Sequence, residues 1–131
     1  MTVKELRLVV TADDYDEAVA FYRDVLGMPE RESYSADGAQ VMILEAGRAT
    51  LEIANPAQAD FIDEVEVGRR VAGKFRVALE VDDSAAITAK LADAGATVVA
   101  EPTRTPWNSL NARLETPGGI QLTLFTELDL K

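Results

Sequence analysis

The chain has 131 residues, and its 23 acidic and 13 basic side chains give it a net charge of −10 at pH 7. It contains no histidine and no cysteine, which excludes imidazole bases, catalytic triads, thiolate nucleophiles, disulfides and zinc ribbons. The negative charge disfavours nucleic acids and anionic membrane surfaces as partners. No segment resembles a signal peptide or a membrane span, so we expect a cytoplasmic protein.

The first half of the chain is predicted to form a strand, a helix and three more strands. Apolar and polar residues alternate over Leu6–Thr11, which predicts a strand with one apolar face. Apolar residues at helical spacing predict a helix over Asp14–Leu26, with Asp14 and Glu17 as a capping box and Gly27 as the C-terminal cap. Turn residues then separate three predicted strands: Glu30–Ser35, Val41–Glu45 and Thr50–Ala54.

The second half repeats this order after a connection. The connection, Asn55–Lys74, opens with Pro56 and mixes acidic with apolar residues, which leaves room for a helical turn. A strand is then predicted over Arg76–Val81 and a helix over Ser84–Ala94, capped by Asp83 or Ser84 and ended by Gly95. Three strands follow, with proline and glycine between them: Thr97–Glu101, Ala112–Glu115 and Ile120–Phe125.

The repeat is also visible in the residues themselves. RLVVTADD at residues 7–14 aligns with RVALEVDD at residues 76–83, at an offset of 69. Two copies of one module indicate a single domain over residues 1–131. We expect module one at about residues 3–55, the connection at about 56–73 and module two at about 74–127.

Strand alternation divides the predicted sheet residues between two faces, and the face covered by helices should be the apolar one. The apolar face comprises Leu6, Leu8, Val10, Met42, Leu44, Leu51, Ile53, Val77, Leu79, Val81, Leu114, Ile120, Leu122 and Leu124. The opposite face is mixed and comprises Arg7, Val9, Thr50, Glu52, Arg76, Ala78, Glu80, Arg113, Gln121, Thr123 and Phe125. Buried ion pairs between Arg7 and Glu52, and between Arg76 and Glu80, would explain this polarity without a ligand.

Three segments stand out in this order of elements: AVAFYRDVLGM (Ala18–Met28), VDD (Val81–Asp83) and TPGGIQLTLF (Thr116–Phe125). Together they resemble the vicinal oxygen chelate superfamily of glyoxalases, bleomycin-resistance proteins and extradiol dioxygenases. The resemblance covers essentially the whole chain. It implies an α+β fold in which tandem βαβββ modules form a half-open mixed β-barrel around a cleft, with the helices outside.

The resemblance also places four metal-ligand positions on the first and last strands of the two modules. In this sequence they fall at Arg7, Glu52, Arg76 and Thr123, whereas metal-dependent members carry histidine, glutamine or glutamate there. A guanidinium has no lone pair to donate, and one carboxylate with one hydroxyl is a poor site for a transition metal. We therefore expect no metal and no other cofactor.

The sequence favours a protein that binds a small drug-like or metabolite ligand in the cleft between its modules. Matched arginines at Arg7 and Arg76 could hold a flat anionic group through forked hydrogen bonds. The predicted cleft residues are Arg7, Val9, Thr50, Glu52, Arg76, Ala78, Trp107, Arg113, Gln121 and Thr123. Trp107 either borders the cleft or packs at its edge or at a subunit contact. Since an open barrel leaves strand edges exposed, we also expect a homodimer.

Two alternatives remain open at this point. The first is an enzyme of the same superfamily, a lyase, isomerase or dioxygenase, with Glu52 as its best catalytic candidate and an altered or absent metal. The second is a module that assembles with other proteins and fills its cleft with its own ion pairs. In that case Arg7 and Arg76 would be paired internally.

Overall fold

The computed structural model describes residues 4, 5, 7–50, 52 and 54–128. The chain divides into two compact units, Met1–Ile53 and Ala54–Lys131. Each unit combines helix with β-sheet, which confirms the α+β class. Within the described residues, no helix is long and apolar enough to cross a membrane.

The helix of the first unit begins where the sequence predicts. Helix α1 spans Tyr15–Val19, and its cap is Asp14, whose carboxylate accepts a hydrogen bond of 3.0 Å from the Glu17 backbone N–H. The helix continues with π geometry over Ala20–Val25, a widening that the sequence pattern does not predict. Gly27 follows with φ +73°, a conformation that glycine adopts at little cost at a helix end.

Two strands of the first unit form an antiparallel hairpin. Strand β1 spans Glu30–Ala36 and strand β2 spans Ala39–Leu44. Asp37 and Gly38 have φ of +52° and +86°, and this two-residue turn matches the right-handed twist of the strands. Both strands and their turn lie where the sequence predicts them.

The predicted strands Leu6–Thr11 and Thr50–Ala54 are wrong for the residues that the structure describes, because none of these is in a strand. Alternation predicts Leu8 and Val10 on the apolar core face, but they are 60% and 39% exposed. Alternation predicts which face of a strand is apolar, but a strand also requires a neighbour for its backbone hydrogen bonds. In the described part of the first unit, only β1 and β2 supply such a neighbour to each other. Three further core predictions lie outside the described residues: Leu6, Leu51 and Ile53.

The connection between the modules forms a full helix, α2, over Pro56–Glu66 instead of a single turn. Asn55 caps it by accepting a hydrogen bond of 2.9 Å from the Gln58 backbone N–H. Pro56 occupies the first turn, where its fixed φ suits a helix and its missing N–H costs nothing. These start signals outweigh the weak apolar pattern that follows them.

The second unit carries helix α3 over Ser84–Asp93 and a four-stranded mixed sheet. Asp83 caps α3, and Gly95 follows the helix with φ +106°. The strands are β3 (Val77–Glu80), β4 (Thr97–Arg104), β5 (Ser109–Glu115) and β6 (Gln121–Glu127). They lie in the order β3-β6-β5-β4, with β3 parallel to β6 and the other pairs antiparallel.

Strand β4 extends through Pro102 to Arg104, three residues beyond its predicted end at Glu101. It is an edge strand, where a proline removes no ladder hydrogen bond on its outer side. Its pairing with β5 shifts register between Ala100 and Thr103, around the proline.

The apolar core of the second unit lies between α3 and one face of the sheet. Strand alternation predicts Leu114, Leu122 and Leu124 on this face, and all three are fully buried together with Leu91 of α3. Leu122 pairs with Leu114 on one side and with Val77 on the other, so the apolar face is continuous across three strands. Strand alternation therefore correctly predicts this core, and it places the polar residues of the same strands on the opposite face.

Candidate functional site

The polar face of the second unit's sheet carries a buried cluster of hydrogen-bonded side chains. Arg113 of β5 lies directly opposite Thr123 of β6, and Thr123 lies opposite Ala78 of β3. Arg113 and Thr123 have side chains that are 0% and 1% exposed. Helix α2 packs against β5 on this face, so the connection helix covers residues that the sequence assigned to the ligand cleft.

The carboxylate of Glu66, at the end of α2, is held entirely by side chains of the sheet. Oε1 accepts hydrogen bonds from Nη2 of Arg113 at 2.8 Å, from Nε of Arg113 at 3.2 Å and from the Thr123 hydroxyl at 3.2 Å. Oε2 accepts a hydrogen bond from Nδ2 of Asn111 at 2.8 Å. A buried charge needs such a complete set of partners, because burial without them costs several kcal/mol.

Asp63 lies one helical turn before Glu66 and binds the same arginine. Its Oδ1 accepts from Nη1 of Arg113 at 2.8 Å, while Oδ2 accepts from Arg70 and from the backbone N–H groups of Val71 and Ala72 at 2.8–2.9 Å. Burial acts to raise the pKa of Asp63, but these backbone and arginine hydrogen bonds outweigh it and hold the pKa well below its usual value. Asp63 is therefore a permanent carboxylate at neutral pH.

Two of the four positions that the resemblance assigns to metal ligands lie together on this face. Nη1 of Arg76 donates to the Thr123 hydroxyl oxygen at 2.7 Å, and Nε of Arg113 donates to the same oxygen at 3.2 Å. The Thr123 hydroxyl thus accepts two hydrogen bonds from cations and donates one to Glu66, so its one donor and its two acceptor positions are all occupied. The side chains at this position do not fit a divalent metal ion, since the guanidinium groups of Arg76 and Arg113 would repel it.

The other two assigned positions belong to the first unit. The Arg7 side chain is 49% exposed and pairs with Glu5, with Nε of Arg7 at 3.0 Å from Oε2. Glu5 also binds Arg31 at 3.0 Å, and these two arginines lower the pKa of Glu5. Glu52 is exposed. Within the described residues, no group of three or more acidic side chains is arranged to hold a metal ion.

The remaining predicted cleft residues are distributed between the two units. Val9 is 85% exposed and Thr50 is also exposed, both in the first unit. Gln121 accepts a hydrogen bond from Nη1 of Arg113 at 3.3 Å, so it joins the cluster on the second sheet. The structure therefore brings together Arg76, Ala78, Arg113, Gln121 and Thr123.

Trp107 stands at the rim of the same unit, in the turn between β4 and β5. Its ring lies 6.0 Å from that of Phe61 on α2, and the two side chains are 41% and 49% exposed. Asn108 adopts a left-handed conformation with φ +68°, and its side chain donates to the Leu128 carbonyl. Trp107 thus contacts α2 directly, which makes it a natural reporter of that helix.

Buried hydrogen bonds connect the Trp107 turn to the Arg113 cluster. The hydroxyls of Thr105 and Ser109 lie 2.8 Å apart, Ser109 donates to Oδ1 of Asn111 at 2.7 Å, and Asn111 donates to Glu66. Asp63, Glu66 and Asn111 were not among the predicted site residues. The available signal was the spacing of Asp63 and Glu66, which places two carboxylates on one helix face three residues apart.

The first unit contains a groove of its own, between α1 and the β1–β2 hairpin. Its volume is about 510 Å³, and its lining is predominantly polar. The lining residues are Tyr15, Asp16, Val19, Arg23, Ser33, Tyr34, Ser35, Gln40 and Met42. None of them is among the predicted cleft residues.

Comparison with known proteins supports one family. Residues 6–124 match the model of the Glyoxalase/Bleomycin resistance protein/Dioxygenase superfamily. No curated protein gives a significant match. A glyoxalase-related enzyme from Fulvimarina pelagi is 15% identical with a TM-score of 0.58, the match covering 95% of this chain and 89% of that one.

Two further solved structures share the fold. A family enzyme from Burkholderia phytofirmans is 19% identical with a TM-score of 0.56, over 92% of this chain and 94% of that one. A protein of unknown function from Agrobacterium tumefaciens is 20% identical with a TM-score of 0.59, over 96% and 98% of the two chains. The chain belongs to the glyoxalase/bleomycin-resistance/dioxygenase superfamily, as its sequence resemblance indicated.

Proposed function

We propose that this protein is a metal-independent member of its superfamily that binds a small, flat, anionic molecule without transforming it. The observation that supports this most directly is the hydroxyl of Thr123, which accepts hydrogen bonds from two arginines at a position where metal-dependent relatives carry a ligand. Arg7 at another of the four positions extends the same chemistry, because an arginine there favours an anion over a cation.

A metal titration tests the first half of the proposal. Protein purified without chelators should contain no stoichiometric Ni²⁺, Zn²⁺, Fe²⁺ or Mn²⁺, and calorimetric titration with each ion should give no saturable binding. Stoichiometric metal that is lost in Glu52→Gln would instead favour the alternative function, a lyase, isomerase or dioxygenase with an altered centre.

A ligand titration tests the second half. Trp107 is the only tryptophan, so its fluorescence can be followed during titration with a panel of aromatic carboxylates. We expect saturable binding that the double variant Arg7→Ala, Arg76→Ala abolishes. The matched control is Arg48→Ala with Arg69→Ala, which removes the same charge from two exposed positions. Equal binding by both double variants would contradict binding of the anion by Arg7 and Arg76.

A homodimer and a cytoplasmic location are part of the same proposal. Native mass spectrometry of protein taken directly from its host reports subunit number, retained ligand and metal in one measurement. A monomer with no retained small molecule would contradict the proposal on both points. Cell fractionation tests the location.

One observation favours a second candidate, a module whose main role is to assemble with other proteins. This candidate requires internal partners for Arg7 and Arg76, and Arg7 pairs with Glu5 while Arg76 donates to the Thr123 hydroxyl. It predicts that no carboxylate in the panel binds, and that the protein co-purifies with a protein partner in stoichiometric amounts.

A further inference from the structure

The side chains that surround Glu66 form a receptor for a carboxylate. Four hydrogen bonds converge on its two oxygens, two from the guanidinium of Arg113 and one each from Thr123 and Asn111. Every donor belongs to the sheet, whereas the carboxylate they hold belongs to the connection helix. A guanidinium with two neutral donors is a general solution for binding carboxylates, whether the carboxylate comes from the chain or from a ligand.

Helix α2 buries two charged side chains more completely than any of its apolar ones. Its two buried residues are Asp63 and Glu66, at 1% and 4% exposure, while Phe61 remains 49% exposed. Amphipathic helices in globular proteins normally bury the apolar face and expose the charged one. The described hydrogen bonds between α2 and the sheet are all made by these two carboxylates, and a carboxylate in solution is a chemical competitor for them.

The two carboxylates of α2 differ in what they would lose if the helix left the sheet. Asp63 keeps partners within its own segment, because Arg70, Val71 and Ala72 bind its second oxygen. All the described partners of Glu66 lie on the sheet. Release of α2 would therefore return Glu66 to water and leave Arg113, Thr123 and Asn111 as an empty receptor, with Asp63 still partly bound.

We infer that α2 acts as an internal occupant of this receptor, and that a small dicarboxylate displaces it. One carboxylate of the ligand replaces that of Glu66, and the second takes the place of Asp63 Oδ1 at Nη1 of Arg113. Two carboxylates one helical turn apart define the spacing, which matches a short flexible diacid. This inference goes beyond the proposed function, because it assigns a second ligand class, a short flexible diacid, to side chains other than Arg7 and Arg76.

Glutarate is the probe, and Glu66→Gln is the variant that weakens the internal occupant. Because hydrogen bonds to charged groups are worth about 1.5–3 kcal/mol, Glu66→Gln should bind glutarate at least about tenfold more tightly than the unaltered protein. Glu64→Gln, an exposed carboxylate on the same helix, is the matched control and should leave the affinity unchanged. Adding Arg113→Gln to Glu66→Gln should abolish the gain.

Hydrogen exchange on the unaltered protein keeps the inference testable if Glu66→Gln fails to fold. Saturating glutarate should speed amide exchange over residues 56–66 and change Trp107 fluorescence, because Trp107 contacts α2. Unchanged exchange in α2 at saturating glutarate, or no gain in affinity in a folded Glu66→Gln, would overturn the inference. Aromatic carboxylates that still bind through Arg7 and Arg76 would leave the proposed function standing in that case.

Discussion

Glu66 and Arg113 are 47 residues apart in the chain, and their charged groups meet at 2.8 Å with both side chains buried. This contact joins the segment between the two modules to the central part of the second sheet. Arg113 also donates hydrogen bonds to Asp63 and Thr123, and these extend the contact into a cluster on the face opposite the apolar core. The stability of the second unit should therefore depend on a polar contact as well as on its leucines.

Arg113→Met should destabilise the second unit by about 3–5 kcal/mol, because it leaves two buried carboxylates without their shared cation. The measurement is urea unfolding followed by far-ultraviolet circular dichroism. Arg69→Met changes an exposed arginine in the same unit and should alter stability by less than about 0.5 kcal/mol. Similar stability of both variants would show that α2 is held by other contacts.

Acid should destabilise the protein partly through Asp63. The pKa of this carboxyl is lowered in the folded state, so its contribution to stability is fully present above its unfolded pKa of about 3.9 and is lost as pH falls below that value. Asp63→Asn should be less stable at pH 7 and should lose less stability between pH 5 and pH 2. Urea midpoints measured across this range test the prediction. Asp93→Asn, at an exposed position, should retain the acid sensitivity of the unaltered protein.

Asp83→Ala should destabilise α3 by about 1 kcal/mol, because Oδ1 of Asp83 accepts a hydrogen bond of 3.0 Å from the Ala86 backbone N–H. The neighbouring Asp82→Ala removes the same charge without removing the cap. Thermal unfolding of the two variants under identical conditions compares them. Equal melting temperatures would assign the effect to charge instead of to capping.

Gly95→Ala should destabilise the second unit by about 1–2 kcal/mol, because φ +106° is unfavourable for any residue with a Cβ. The added methyl group would meet Pro117 Cγ at 3.6 Å, an ordinary contact, so the cost comes from the backbone alone. Gly73 has an ordinary φ and open space around it, and Gly73→Ala should be neutral or slightly stabilising. Equal losses in the two variants, measured by urea unfolding, would contradict this explanation.

Local patterns in the sequence predicted the parts of the fold whose physics is local. Asp14 and Asp83 are helix caps, Asp37 and Gly38 form the hairpin turn, and alternation identifies the buried face that contains Leu114. Each of these features depends on residues within a few positions of one another. The sequence therefore carries the information for them without reference to the rest of the chain.

Features that depend on contacts between residues far apart in the sequence were not predictable from local patterns. Leu8 and Val10 alternate like strand residues, but a strand forms only where another backbone pairs with it. Arg113 was identified as a residue of the polar face, but its partner Glu66 was not, because the connection was not expected to fold back as a helix. No local pattern in the sequence predicts the contact between Glu66 and Arg113, which are 47 positions apart.

The position of β6 between β3 and β5 has a consequence for synthesis of the chain. Strand β3 is synthesised before the other three strands of its sheet. Its partner β6 comprises Gln121–Glu127, so β3 cannot form its backbone hydrogen bonds to β6 until more than 40 further residues have been synthesised. Such non-local pairing slows folding and leaves an unpaired edge in the meantime. A nascent chain arrested before residue 121 should therefore expose the edge of β3, and chaperone binding to such arrested chains should end once β6 has emerged.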